Sequence, residues 1–193
     1  MPDATELCSV SDLKAYLQIS GATSDSILAA IKASVEAFVK SYCGRDFLAA
    51  DYTEYYDGDD GIVLRVDQRP IISIASIYSD PARLWAAGTL IPASDYNALD
   101  LRDMNAGLIT LSGYRFIRGR KATKITYHAG YSTIPADLAH AVKLISAKEY
   151  KIQDKRLTGT LSQQVGDMTI TMEVEAIPKN ALEILNRYRR MSI

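Results

Sequence analysis

The densest run of side chains that could hold a metal is Asp57-Gly58-Asp59-Asp60-Gly61. A helix–loop–helix calcium site takes oxygen ligands at the first, third and fifth loop positions and glycine at the sixth. Counted from Asp57, the fifth position is Gly61 and the sixth is Ile62, so the run fails that test. Asp and Gly are also what tight turns require, and a solvated hairpin turn is the reading adopted. His128 and His140 could each act as a general base. His128 follows a predicted strand with no nucleophile motif beside it, and reads as a loop histidine without a catalytic role. His140 falls one position off the apolar stripe of a predicted helix and reads as a partly exposed structural residue. Cys8 and Cys43 are too few for a disulfide framework. Each lies near an apolar helical pattern and reads as a buried free thiol. With so few sulfur and imidazole ligands, no structural zinc site is expected. The chain contains no Gly-x-Ser-x-Gly elbow, phosphate loop, Gly-x-Gly-x-x-Gly, Cys-x-x-Cys or His-Glu-x-x-His. No catalytic, cofactor-binding or metal-binding residue is therefore assigned.

Charge carries more information than chemistry. Residues 51–60 hold five acids, Asp51, Glu54, Asp57, Asp59 and Asp60, and no base. Residues 114–124 hold five bases, Arg115, Arg118, Arg120, Lys121 and Lys124, and no acid. A solvated face explains either cluster alone. Opposite patches on one subunit also suit head-to-tail contact between copies. A basic loop could instead face a passing polyanion. Asp57, Asp59, Asp60, Arg115, Arg118, Arg120 and Lys121 are thus candidates for a subunit interface or a channel lining. The whole chain carries a formal net charge of −1, which argues against tight phosphate binding as its main task.

The elements that must position these groups follow from periodicity. Ser9-x-x-Asp12 resembles a capping box opening a short helix, with Leu13, Tyr16 and Leu17 on one face and a stop at Ile19-Ser20-Gly21. Thr23-Ser24-Asp25 offers N-caps for a longer helix. There Ile27, Ile31, Val35, Phe38 and Tyr42 recur at helical spacing up to Cys43, Leu28 and Val39 widen the stripe, and Gly44 serves as C-cap. From about Ala49 the period changes. Strands are predicted over Tyr52–Tyr56 and Ile62–Val66, joined as a hairpin by the 57–61 turn. Further strands are predicted over Ile71–Tyr78, with Ile72 and Ile74 on one face, over Tyr96–Leu101, Gly107–Leu111 and Ala122–Tyr127. Helix resumes at Pro135 and reaches about Gln153. The polar stretch to Gln164 breaks the pattern, Val165–Met172 reads as a strand or extended arm, and Pro178 opens a last helix with Leu182, Leu185 and Tyr188 on one side.

The 193 residues, 48% hydrophobic and 23% charged, are ordinary globular values and enough for a substantial core. The N-terminal residues show no signal peptide and no apolar run suits a membrane span. The fold class is α+β: a small helical bundle core with an inserted antiparallel β block and a C-terminal arm plus helix. The expected divisions are a helical core over 1–48 and 133–158, a β block over 49–132, and an arm with terminal helix over 159–193. Neither the early nor the late helices have enough apolar surface to form a core alone, so they must pack together.

Three stretches together resemble the head–tail connector (adaptor) proteins of tailed phages, in a long form with a β insertion. The first is Ser11-Asp12-Leu13-Lys14-Ala15-Tyr16-Leu17, then a helix closing on Tyr42-Cys43-Gly44-Arg45. The second is Ile125-Thr126-Tyr127-His128-Ala129-Gly130-Tyr131 leading to Ile134-Pro135-Ala136-Asp137-Leu138. The third is Gly166-Asp167-Met168-Thr169-Ile170, followed by Ile177-Pro178 and Leu185-x-x-Tyr188-Arg189-Arg190. The resemblance implies a ring, commonly of twelve copies, below the portal protein at the head–tail joint. It implies a DNA channel extended by that ring, a docking surface for a stopper or tail protein, no cofactor, no membrane, and residence in the bacterial host cytoplasm before assembly. By the same analogy Pro178, Leu182, Leu185, Arg187, Tyr188, Arg189 and Arg190 are portal-contact candidates. Another virion-assembly module, tail-completion or capsid-associated, is an alternative reading, and a small hydrolase using Asp or His128 a remoter one. Two expectations accompany this reading. Deleting the chain from Pro178 should leave the core folded but abolish portal attachment, and Phe38→Asp should unfold the core.

Overall fold

A computed structural model describes residues 5–96, 101–154, 161–165, 168–172 and 177–189. In chain order the elements are α1 (Val10–Leu17), α2 (Asp25–Cys43), β1 (Ala50–Gly58), β2 (Val63–Arg65), β3 (Ile71–Ser79), α3 (Leu101–Ala106) and β4 (Leu108–Thr110). There follow β5 (Gly119–Ala129), α4 (Ala136–Asp154), β6 (Leu161–Val165), β7 (Met168–Met172) and α5 (Lys179–Tyr188). Two short 3-10 turns, Ala87–Thr89 and Ala93–Asp95, precede α3. The α+β class holds. The chain forms two compact units, Met1–Thr5 with Asp46–Thr133, and Glu6–Arg45 with Ile134–Ile193.

In the helical unit, α4 packs against α1, α2 and α5, so the early and late helices do share one core. The capping box forms as read: the Asp12 amide donates to Ser9 Oγ at 3.0 Å, and the Ser9 amide donates to Asp12 Oδ2 at 3.3 Å. Hydrogen bonds from Ser9 hold the Asp12 carboxyl below its ordinary range. α1 stops earlier than Gly21. Gln18 takes the left-handed conformation (φ 58°) and its amide reaches back to Lys14 and Ala15. α2 ends on Gly44 at φ 65°, as glycine permits without a Cβ clash. Cross-helix hydrogen bonds tie the bundle: Ser24 Oγ with Tyr150 Oη at 3.1 Å, Tyr42 Oη to Asn186 Oδ1 at 2.7 Å, and Tyr188 Oη to Asp137 Oδ1 at 2.6 Å.

The buried row of α2 is Leu28, Val35, Val39 and Cys43. It follows the side of the predicted stripe that Leu28 and Val39 widen, with Val35 common to both. Ile27 is 41% exposed, and Ile31, Phe38 and Tyr42 are half-buried. Both rows are apolar, so the apolar arc is broad and periodicity alone cannot find its centre. Phe38→Asp therefore places no charge in a closed core, and the unfolding expected of it is withdrawn. Truncation before Pro178 fares the opposite way. Ala181 and Leu185 are fully buried, so removing α5 would open the core rather than leave it intact.

The β unit is organised around β5, which pairs antiparallel with β1 on one side and β3 on the other. The predicted hairpin between 52–56 and 62–66 does not form. β1 pairs with β5, and β2 pairs with β4 in a separate two-stranded sheet. The 57–61 turn is instead clasped by the chain entering β5. The Asp60 amide donates to Phe116 O at 2.9 Å and the Phe116 amide donates to Gly61 O at 2.9 Å. Gly58 allows this approach, since a Cβ there would lie 1.9 Å from Ile117 O. β3 also departs from simple alternation. Its pairing with β5 slips at Ile71/Ser73 and at Ile74/Ser76, so Ile71 and Ile77 are buried, Ile74 packs partly against the core, and Ile72 is 40% exposed. Bulges of this kind break the period of two on which the sequence reading relied. Of the strand predicted over Tyr96–Leu101, Tyr96 follows a 3-10 turn, residues 97–100 lie outside the described residues, and Leu101 opens α3. The core is built from Ile77, Ile91, Ile109, Phe116, Ile125 and Tyr127, with Val66, Leu111 and others around them.

β5 leaves through Gly130 at φ 122°, where a Cβ would lie 2.5 Å from Leu48 O. The Tyr131 amide then donates to Phe47 O at 2.8 Å. The Tyr-x-Ala-Gly-Tyr stretch thus has a physical basis: only glycine fits that close backbone approach. The predicted arm is in part a hairpin, with β6 paired antiparallel to β7. Its first strand lies in the polar stretch that offered no strand signal.

Candidate assembly surfaces

The structure brings the acidic and basic clusters to one end of the β sheet. Gly58 pairs with Gly119 at the end of the β1–β5 ladder, so the 57–61 turn and the 114–121 segment run side by side. The Lys121 amide donates to Asp57 Oδ1 at 2.7 Å, and Arg115 Nη1 donates to Asp60 O at 3.0 Å. Asp59 Oδ1 accepts the Gly61 amide at 2.9 Å and so shapes its own turn. Arg118 and Arg120 are described on the same segment, Arg118 exposed and Arg120 exposed at the head of β5. Lys124 lies further along β5 with its ammonium 5.6 Å from the Tyr78 ring centroid and 5.9 Å from that of Trp85. The two clusters are therefore not two opposed faces of the subunit. Acids on one segment and bases on the next lie side by side on one tip, whose local charge is mixed, and a mixed tip is a poor grip for a polyanion.

Two devices in the β unit escaped the sequence reading. Glu54 on β1 accepts hydrogen bonds from Tyr127 Oη at 2.6 Å and from Tyr56 Oη. The two phenol oxygens in turn accept the Gln68 and Asp67 amides at 3.1 and 2.8 Å, pinning the segment between β2 and β3. Burial first, and then bonding to the Glu54 carboxylate, push both phenols well above the usual tyrosine range. Glu54 and Tyr127 are far apart in sequence, so no local pattern announces the pair. The second device is the 80–85 loop. The Asp80 carboxylate accepts the amides of Ala82, Leu84 and Trp85 at 2.9, 2.8 and 2.8 Å. Burial pushes that carboxyl up, but the surrounding amides outweigh it and the group ends below its ordinary value. Arg83 and Trp85 sit at positive φ (59° and 53°), and Leu84 between them is 78% exposed. Asp80-Pro81 was the available signal, a turn-initiating dipeptide. Close by, Leu90, Tyr114 and Ile117, each more than 40% exposed, line a groove of about 520 Å³ with Arg115 on its wall.

On α5 the portal-contact candidates divide by burial. Leu185 is fully buried in the helical unit and Leu182 is half-buried, so Leu185 is a packing residue in this chain. Pro178 is the N-cap. Tyr188 is half-buried on Asp137. Arg187 and Arg189 are exposed, with the Arg189 guanidinium 5.6 Å from the Tyr42 ring centroid. Arg190 lies outside the described residues. The helix therefore faces the core with its aliphatic side and presents its arginines outward.

The remaining reactive groups are accounted for by structure. Cys8 and Cys43 are buried free thiols, and burial raises each pKa from 9.0 to about 11. His140 stands edge-on to Tyr16. His128 lies within β5 rather than after it, with Nδ1 2.8 Å from Asp51 Oδ1 across the β1 pairing. The β3 register sets Ser73 opposite the same histidine. An Asp–His–Ser row is the order of groups that acyl transfer uses. Here it lies on an open sheet face with the Asp51 side chain 87% exposed, and neither groove described in this chain includes it. It lacks the enclosed pocket and aimed oxyanion donors that give such a row its reactivity. Among the described residues no group of three or more His, Cys, Asp or Glu is placed to hold a metal ion, and no helix is long and apolar enough to cross a membrane.

Comparison with known proteins adds the context. No curated protein sequence matches the chain. Solved structures that share its fold include three from gene transfer agent particles. A chain in the virion of a native gene transfer agent particle is 17% identical, with a TM-score of 0.60 over 97% of this chain and 91% of that one. A chain in the neck of the empty gene transfer agent particle, computed with sixfold symmetry, is 16% identical, with a TM-score of 0.56 over 99% and 95%. One in the neck of the native particle, computed with twelvefold symmetry, is 16% identical, with a TM-score of 0.57 over the same shares. The sequence profile of head completion proteins matches residues 6–191. That match spans nearly the whole sequence, both units included, and the chain belongs to the head completion protein family.

Proposed function

We propose that this protein is a non-catalytic ring subunit of the head–tail joint, seated below the portal, extending the DNA channel and docking the next head-completion or tail protein. Its family membership over residues 6–191 carries the reading, and makes its role a structural one at that joint. The fold shared with subunits of particle necks agrees with it. A ring of about twelve copies, the portal as upper partner and a stopper or tail protein as lower partner belong to this proposal. So does the host cytoplasm as the place of synthesis.

The chemistry of the surfaces is what such a subunit needs. Head-to-tail rings require two different faces that match each other. The tip that sets Asp57, Asp59 and Asp60 beside Arg115, Arg118, Arg120 and Lys121 offers charge for register and orientation, which is where interfacial charges contribute most. A near-neutral tip also suits a channel through which DNA slides without being held by counterion release. In this reading the β block, 49–132, supplies lateral contact and the helical core supplies the platform. Arg187 and Arg189 are the portal-facing residues of α5. The double variant Arg187→Glu, Arg189→Glu tests that point. It should stay folded, with a small fall in Tm from losing the Arg189 contact with the Tyr42 ring, and should fail to join particles. Normal incorporation would remove α5 from the portal contact.

A further inference from the structure

The loop between β3 and the first 3-10 turn displays an apolar side chain where it could have hidden one. Leu84 is 78% exposed, the most exposed of the large hydrophobic residues described. The loop is built to hold it there. The Asp80 carboxylate accepts the amides of Ala82, Leu84 and Trp85. Trp85 is anchored over the sheet by Tyr55 and Tyr78, with ring centroids 5.7 and 6.5 Å away. Arg83 and Trp85, on either side of Leu84, adopt positive φ, a conformation that costs free energy in residues with a Cβ. A lone exposed leucine is ordinary. One carried on a strained, cross-braced loop is pre-organised for contact, because little backbone freedom remains to be lost on docking.

The same β unit carries an acceptor of matching chemistry. Leu90, Tyr114 and Ile117 line the groove of about 520 Å³, with Pro81 and Arg115 beside them. It runs along β3, since Leu90 bridges to Tyr78 and the Ile91 amide donates to Ile77 O at 2.8 Å. Leu84 does not fill the groove of its own chain: it and the three apolar wall residues all stay more than 40% exposed. We infer that Leu84 of one copy seats in this groove of the next, linking neighbours around the ring. The inference rests on the ring reading above. Three observations favour this occupant. The groove far exceeds the roughly 30 Å³ of one water, so it can receive a whole side chain. Charge agrees across the contact. Arg83, beside the knob, makes no ion pair among the described residues, and Asp59 and Asp60 flank the groove wall, where Arg115 Nη1 donates to Asp60 O at 3.0 Å. Knob and groove are also different surfaces of one unit, as a closed head-to-tail ring requires. Apolar walls flanked by acids make the groove a poor site for nucleic acid.

Cysteine pairing tests it, because the two native thiols are buried. Cells making particles would express two single variants together, Leu84→Cys and Ile117→Cys, and purified particles would be oxidised. The expected product is a covalent pair containing one of each variant. The double variant on one chain should give chains linked into a ladder. If either variant is excluded from particles, Ala82→Cys with Tyr114→Cys serves instead. Leu84→Asp gives a second reading. It should melt like wild type by Trp85 fluorescence, because Leu84 is exposed, yet enter particles about tenfold less, whereas Leu84→Met should enter normally. Normal entry of Leu84→Asp would overturn the inference. An internal link within single chains of the double variant, with none between single variants, would overturn it in favour of self-docking, and chains linked only in pairs in favour of a two-fold exchange. A link from Leu84→Cys to Phe38→Cys in place of Ile117→Cys would move the acceptor to the groove of about 360 Å³ between α2 and α4, and so overturn it too. Particles that hold both variants with no link would overturn it while leaving the ring reading intact. Absence of the wild-type chain from the neck would instead overturn the ring reading.

Discussion

Gly58→Ala probes the clasp that builds the charged tip. The new Cβ would lie 1.9 Å from Ile117 O, 2.7 Å from Ile117 C and 2.8 Å from Phe116 O. All three are backbone atoms, so no side chain can rotate away, and the 57–61 turn must leave the 116–117 segment. Four hydrogen bonds depend on that approach: Asp60 N to Phe116 O, Phe116 N to Gly61 O, Arg115 to Asp60 O, and Lys121 N to Asp57. At about 1 kcal/mol for each backbone pair and about 0.5 for each exposed one, the loss is about 3 kcal/mol. For a chain of this length that is a fall in Tm of about 6–12 °C. The single tryptophan, Trp85, reports on the β unit, since it packs against Tyr55 and Tyr78. Its fluorescence should show the early transition, while far-UV circular dichroism follows mainly the helices. Gly88→Ala is the control, because nothing lies within 4 Å of a Cβ there. It should stay within about 0.5 kcal/mol of wild type. A Gly58→Ala protein melting within about 2 °C of wild type by Trp85 fluorescence would refute the clasp.

The remaining expectations follow the same logic. Leu185→Ala removes a fully buried side chain from α5 and should cost about 2–5 kcal/mol, read as a lower midpoint in denaturant. Ser9→Ala should cost about 0.5–2 kcal/mol through loss of the α1 cap, with a smaller effect at acid pH, where Asp12 is protonated and the box is already broken. The low folded pKa of Asp12 means its contribution is present above its unfolded value of 3.8 and lost as pH falls. The thiols act in the opposite sense. Their folded values are raised from 9.0 to about 11, so their contribution is whole below pH 9.0 and lost as pH rises to about 11. Cys43→Ala should flatten part of that alkaline fall, and neither thiol should react with iodoacetamide until the protein unfolds.

Helix signals were the legible part of this sequence because they are local. The Ser9 cap, the Gly44 stop and the proline openings at Pro135 and Pro178 all act within one turn of the residue that encodes them. Strands β3, β4 and β5 were also legible as segments of apolar and β-branched residues. Their partners were not. Whether β1 turns back onto β2 or pairs with β5 depends on Gly58 meeting Ile117, a contact between residues far apart in the chain. The same distance hid the Glu54–Tyr127 bond. Two bulges turned β3 out of its expected alternation. At the candidate surfaces the residue types were readable, whereas their grouping was not. The acid and base clusters were visible as runs but not as neighbours, and Leu185 looked like a contact residue because an aliphatic stripe is the same whether it faces a core or a partner.

The central claim is that the chain completes the joint between head and tail. Electron microscopy of particles from cells lacking this gene tests it most directly. The account predicts heads, filled or emptied of DNA, lying apart from intact separate tails. Complete tailed particles in the absence of the protein would contradict it.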